Sequence, residues 1–217
     1  SFLIMLPIVF LLIIQPDIGQ TILIVLTWLS LIFVSGINLI VFFSSFILIG
    51  SLISYLVFFI PKFAYIQKRI ISFIDPSSGN NYQSEKASEA IINGGFFGKG
   101  IGEGTLNSKV PEAHTDYIVS VISEEFGIIV VLLIMLCFLI LTYQVFKKIN
   151  FEKNNKVKLI LLGVVSILLI QTLIHVGVNI SFLPTTGMTL PFLSYGGSSI
   201  VSTAILSGII LNLTKRK

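Results

Sequence analysis

Pro111-Glu112-Ala113-His114-Thr115-Asp116 gathers two carboxylates, an imidazole and a hydroxyl immediately before a long apolar run. An ionisable group where a helix enters a membrane costs free energy unless it is solvated or paired, so it is a functional-site candidate by default. A carboxylate reachable from water at such a boundary can take a proton from a hydroxyl as a general base. Asp116, at the end of a polar, Gly-rich stretch, is the residue expected at the centre of any reaction here. An aspartate at that point also suits a helix N-cap, favoured by the helix dipole, and the two readings stand side by side. Asp17, following Pro16, has the same ambiguity. His175 and Asn179, one helical turn apart, read first as an interhelical hydrogen bond. Of Glu124 and Glu125, two turns beyond Asp116, the second is expected to face the bundle. Either one also suits a cap or a pair with a lysine.

The elements that must position these residues are set by composition. The chain is 54% hydrophobic and 11% charged, with a mean hydropathy of +0.99. Soluble domains carry about 25% charged residues. This much apolar surface demands lipid, so the chain reads as an all-α integral membrane protein, because open strands would leave backbone groups unsatisfied in a bilayer. The single cysteine, Cys137, lies in an apolar run and reads as a small buried hydrophobe. It excludes an internal disulfide and a thiolate metal cluster. The apolar start at Ser1, without Met, basic n-region or cleavage site, reads as a fragment's beginning rather than a signal peptide.

A crossing needs about 20 apolar residues. Residues 1–16 carry no charge and end at Gln15-Pro16-Asp17-Ile18-Gly19. Residues 18–61 leave room for two crossings, divided at Gly36-Ile37-Asn38. A fourth is expected from about Tyr117 to Phe146. Residues 159–214 supply a fifth and a sixth, divided over Leu183–Pro191. About six transmembrane helices therefore form a single integral membrane domain over residues 1–217. The loop over 147–158 holds five lysines against one glutamate, and the chain ends Lys215-Arg216-Lys217. The positive-inside rule makes that side, and with it the C-terminus, cytoplasmic. Parity then places 62–115 outside as a large extracytoplasmic loop, together with the 184–191 connection. The net charge of +4 reflects topology, and no basic stripe interleaved with aromatics points to nucleic acid.

Within 62–115, Lys62 to Asp75 reads as an interfacial helix with Lys68 and Arg69 near headgroups. Residues 75–81 form a turn cluster and Gln83 to Asn93 a second short helix. Six glycines fall in the eleven residues Gly94–Gly104, without the Gly-Lys-Ser/Thr of a phosphate-binding loop. They either let backbone approach lipid headgroups or permit tight turns. A transporter should carry ionisable residues near the bilayer midplane in repeated halves. This sequence has no internal repeat and gathers its charges at the outer interface, which favours an enzyme acting on a lipid-borne substrate.

Gln15-Pro16-Asp17-Ile18-Gly19, Gly94–Gly104, Pro111–Asp116 with Glu124-Glu125-Phe126-Gly127, and Leu183-Pro184-Thr185-Thr186-Gly187 through Pro191-Phe192-Leu193-Ser194-Tyr195-Gly196-Gly197-Ser198-Ser199 resemble, in order and over nearly the whole chain, the SEDS family (shape, elongation, division and sporulation) of bacteria. Ala113 and Thr189 resemble the division branch, FtsW-like rather than RodA-like. The resemblance implies the C-terminal portion of a ten-helix fold. It also implies a peptidoglycan glycosyltransferase that polymerises lipid II at the outer face of the bacterial cytoplasmic (inner) membrane, at the septum. Its partners would be a class B penicillin-binding protein (a transpeptidase) and other division proteins. The family's essential aspartate falls on Asp116, the expected base. The undecaprenyl-pyrophosphate leaving group calls for cations, and Arg69, Lys99 and Lys109 are the outer-face candidates. Glu112 and His114 are expected to orient the loop or the acceptor. A divalent cation, Mg or Mn, held by Asp116 ranks second, since no His/carboxylate set stands at metal-ligand spacing. A lipid II flippase is the competing function, and a division scaffold the blandest.

Overall fold

The computed structural model describes residues 2–75, 82–110 and 112–215. Pro111, the turn cluster over 76–81 and the basic pair Arg216-Lys217 lie outside the described residues. The described residues form helices without a strand, and the chain divides into two compact units, 1–81 and 82–217. The segment 62–115 is shared between them.

The first unit holds α1 (Phe2–Ile14), α2 (Ile18–Val34), α3 (Leu39–Phe59) and, after a 3₁₀ turn at Pro61–Phe63, α4 (Ala64–Ile74). The breaks fall where the sequence places them. Asp17 caps α2, its carboxylate accepting the Gln20 N–H at 2.9 Å, so the cap reading of this residue holds. Met5, Val9, Val25, Leu29 and Ile49 form the core of α1, α2 and α3.

The second unit holds α5 (Tyr82–Gly94), the four-residue turns α6 (Leu106–Lys109) and α7 (Ala113–Asp116), α8 (Ile118–Phe126), and three long helices: α9 (Ile128–Phe151), α10 (Asn155–Asn179) and α11 (Gly197–Lys215). Among the described residues four helices, α3, α9, α10 and α11, are long and apolar enough to cross a membrane; α1 and α2 are shorter apolar helices. At 1.5 Å per residue, the 24 residues of α9 span about 36 Å. α10 is the enclosed member, with buried residues from Leu161 to Asn179.

Two features depart from the expected topology. The helix expected from Tyr117 to Phe146 is two helices, broken at Gly127 (φ 86°, ψ 167°), a conformation open essentially to glycine alone. The physical cause is the Gly-rich segment, which lies backbone-to-backbone against the end of α8. Lys99 and Gly100 donate their N–H groups to the carbonyls of Glu124 and Glu125 at 2.9 and 3.0 Å, and Ile128 donates to Gly95 at 3.0 Å. The first two bonds satisfy carbonyls that the end of α8 would otherwise leave orphaned, and the third uses an N–H at the start of α9. A Cβ at Gly94, Gly98 or Gly127 would fall on the backbone of the facing segment. The tight-turn reading of these glycines is thus joined by close packing against α8.

The 180–196 connection is the second departure. It is not a surface loop but a re-entrant one. Phe182 and Leu183 bond the Gly177 carbonyl at 2.7 and 3.0 Å, and the chain then descends beside α10. Met188 O meets His175 Nδ1 at 2.7 Å, and Gln171 Nε2 donates to Thr189 O at 2.8 Å. Irregular backbone at membrane depth is tolerated only where protein supplies its partners.

Gly98→Ala is expected to cost about 1–2 kcal/mol for its left-handed φ of 75°, and more for the clash with Glu125. Gly50→Ala, in open space inside α3, should be neutral or stabilising. Thermal unfolding of the detergent-solubilised variants checks this; equal midpoints would refute the packing role.

Candidate active site

α7 is too short to satisfy its own carbonyls, and the last carbonyls of any helix lack intrahelical partners. Here three successive ones are taken by distant donors. Tyr195 N–H donates to His114 O at 3.1 Å, Ser194 Oγ to Thr115 O at 2.7 Å, and Asn179 Nδ2 to Asp116 O at 3.0 Å. The Ser194 hydroxyl in turn accepts the Leu190 N–H at 2.7 Å. Asn179 is completely buried and uses its whole amide. Its oxygen accepts from Ser120 N–H and Oγ at 3.0 and 2.9 Å, and its nitrogen also donates to His175 O at 2.9 Å.

Asp116 therefore ends α7 and does not cap the next helix, whose N-cap is Tyr117. Its own N–H bonds Glu112 O at 3.0 Å. The residue is half-buried, and a Cβ built on Gly187 would stand 3.7 Å from Asp116 Oδ2. The tip of the re-entrant segment thus faces the carboxylate with a residue that has no side chain. Glu112 and His114 share the α7 turn, both exposed. Lys109 ends α6, its ammonium 3.3 Å from Thr105 Oγ1. Arg69 lies on α4, in the first unit. Among the described residues no group of three or more His, Cys, Asp or Glu is placed to hold a metal ion.

The FtsW/RodA/SpoVE cell cycle protein model matches residues 1–217. The chain belongs to this family. A probable peptidoglycan glycosyltransferase FtsW of Caulobacter vibrioides is 33% identical over the whole chain and 55% of its own length. Another, from Enterococcus hirae, is 40% identical over 67% of the chain and 36% of its own length. A solved chain from a peptidoglycan synthase complex that coordinates polymerization and crosslinking superposes with a TM-score of 0.74 at 27% identity, over 98% of this chain and 59% of that one. The chain spans about half the length of the curated relatives it matches.

The resemblance to this family marked Asp116 but left its support unassigned. Of the pair expected in an interhelical bond, Asn179 makes one, to Ser120 of α8, whereas His175 bonds Met188 O in the 180–196 connection. Ser194 and Gly187 belong to motifs that carry the resemblance, yet nothing in the sequence gives either a role. The glutamate order is reversed: Glu124, not Glu125, is enclosed, at 1% exposure. The break at Gly127 and the loop folded over α8 enclose it. Its carboxylate accepts from Leu106 N–H at 2.9 Å and Thr105 Oγ1 at 3.1 Å, with Lys99 Nζ at 3.5 Å. Glu124 thus pins the loop that carries Lys99 and leads to α7.

Glu124 lies on α8, outside the long spans. Burial pushes its carboxyl up, but the bonds from Thr105 and Leu106 and the Lys99 charge outweigh that and hold it below its ordinary value of 4.5. A depressed carboxyl contributes stability that is complete above 4.5 and lost as pH falls through its folded value. Glu124→Gln should therefore loosen residues 99–106 at neutral pH, whereas wild type loosens only below the carboxylate range. Amide exchange, corrected for intrinsic rates, reads both; equal protection in the variant would overturn the anchoring role.

Proposed function

We propose that this chain is the catalytic membrane portion of a division-branch peptidoglycan glycosyltransferase, polymerising lipid II at the outer face of the bacterial inner membrane. The observation that carries the reading is Asp116: a carboxylate held through its own backbone by Asn179 and faced by a glycine. In this reading the acceptor sugar hydroxyl attacks the donor's anomeric carbon and the bond to undecaprenyl pyrophosphate breaks. Asp116 receives the hydroxyl proton. Charge develops on the leaving pyrophosphate, where Lys109 and Lys99 are the candidate cations of this unit. Lys99 reaches that role with its ammonium already near Glu124, so it acts as a shared charge rather than a free one. Glu112 and His114, exposed on the same turn as Asp116, are suited to contact the acceptor.

The family membership, the names of the relatives and the synthase complex of the structural neighbour support this assignment. A class B penicillin-binding transpeptidase as partner and a septal location belong to the same proposal; the crosslinking activity of the structural neighbour's complex supports the first. A flippase would have no use for a basic carboxylate at this place.

The test uses the full-length protein with its transpeptidase and labelled lipid II in detergent. Asp116→Asn keeps size and polarity but removes the base, and polymerisation should fall on the order of 10²- to 10⁴-fold. Equal complex formation by the two proteins is the control. Undiminished glycan strands from the variant would sink the assignment. Absence of strands from both, beside an active control polymerase, would move the flippase ahead.

A further inference from the structure

We propose that Ser194 and Asn179 are positioning residues for Asp116, acting on turnover rather than on substrate affinity. The inference rests on the reading of Asp116 as the base. A four-residue turn has no rigidity of its own, and its carbonyls point toward whatever donors the surroundings offer. Here each of the last three carbonyls of α7 has one donor from outside the turn, and two of these donors are side chains, Ser194 Oγ and Asn179 Nδ2.

The two side chains are themselves fixed. Asn179 is locked by the Ser120 bonds and the Asp116 and His175 carbonyls, so a flip of its amide would lose three of its four bonds. Ser194 is 4% exposed and sits between the Leu190 N–H it accepts and the Thr115 carbonyl to which it donates. The plane of the peptide that follows Asp116 is therefore set by α10, and that of the preceding one by the re-entrant segment. The same segment carries Gly187, which faces the carboxylate. Neither side chain is aimed at an open surface where a substrate would sit: both are buried and both are spent on backbone.

A reacting group misplaced by about 1 Å can lose on the order of 100-fold in rate. Ser194→Ala frees the Thr115 carbonyl and the turn with it, while Ser194→Thr retains the hydroxyl. In the full-length protein with its transpeptidase, rates against lipid II concentration should show kcat reduced about 10- to 100-fold for Ser194→Ala, with KM within about twofold. Ser194→Thr should recover most of the loss. Asn179→Ala should resemble Ser194→Ala, and Asn179→Leu, close in size but without donor or acceptor, should not rescue it.

Four outcomes overturn the inference: wild-type kcat in Ser194→Ala, a loss confined to KM, failure of Ser194→Thr to recover, or a fully active Asn179→Leu. If Asn179→Ala fails to fold, the Ser194 pair decides alone. Asp116→Asn run alongside separates the two levels. Should that variant remain active, the base assignment fails. Should it be dead while Ser194→Ala and Asn179→Ala turn over normally, only the positioning inference fails.

Discussion

A backbone carbonyl at the end of a helix has to find a donor, and beside a membrane it cannot rely on water. Much of the second unit follows from that constraint. α7 is four residues long and ends with three such carbonyls in succession. Tyr195, Ser194 and Asn179 supply the missing donors, and in doing so they fix a turn that has no lattice of its own. The re-entrant segment is governed by the same rule from the other side. Its own irregular backbone descends beside α10 because Gln171 and His175 meet it there. One buried helix thus serves both as partner of the descending strand of chain and as anchor of the turn.

The Gly-rich segment solves a similar problem at the end of α8. Its amides reach the carbonyls of Glu124 and Glu125, an approach that side chains at Gly94, Gly98 or Gly127 would block. Glu124 then sits beneath this loop, where an enclosed carboxylate is tolerable only with several donors. It has a backbone N–H, a hydroxyl and an ammonium. The charge therefore serves as a pin for the loop. The two carboxylates thus differ in burial: Glu124 is enclosed beneath the loop, and Asp116 is half-buried beside Gly187.

The first unit obeys simpler rules. Its helices begin and end where charge, proline or glycine interrupts an apolar run, and its core is a seam of aliphatic residues between α1, α2 and α3. Asp17 there is a cap, with a carboxylate bonded to the first turn of its own helix. The contrast with Asp116 is instructive. The same residue type near a helix terminus caps a helix in one place and ends a turn beside Gly187 in the other.

The sequence by itself determined that the chain is helical and lies in a membrane, and it located most breaks: Gln15–Asp17, Gly36–Asn38 and the lysine-rich stretch over 147–158, of which only residues 152–154 lie outside helices. Those features are local, because hydrocarbon rejects charge wherever it occurs along the chain. It also singled out Asp116, since carboxylates beside apolar runs are costly. What it could not reveal was decided between residues far apart in the chain. Asn179 and Ser194 stand 63 and 79 residues from the carbonyls they hold. The break at Gly127 depends on a loop packed over it, and the choice of Glu124 over Glu125 on what that loop covers. No periodicity encodes such partners. Only the tertiary structure supplies the donors, and with them the direction of the Asp116 turn.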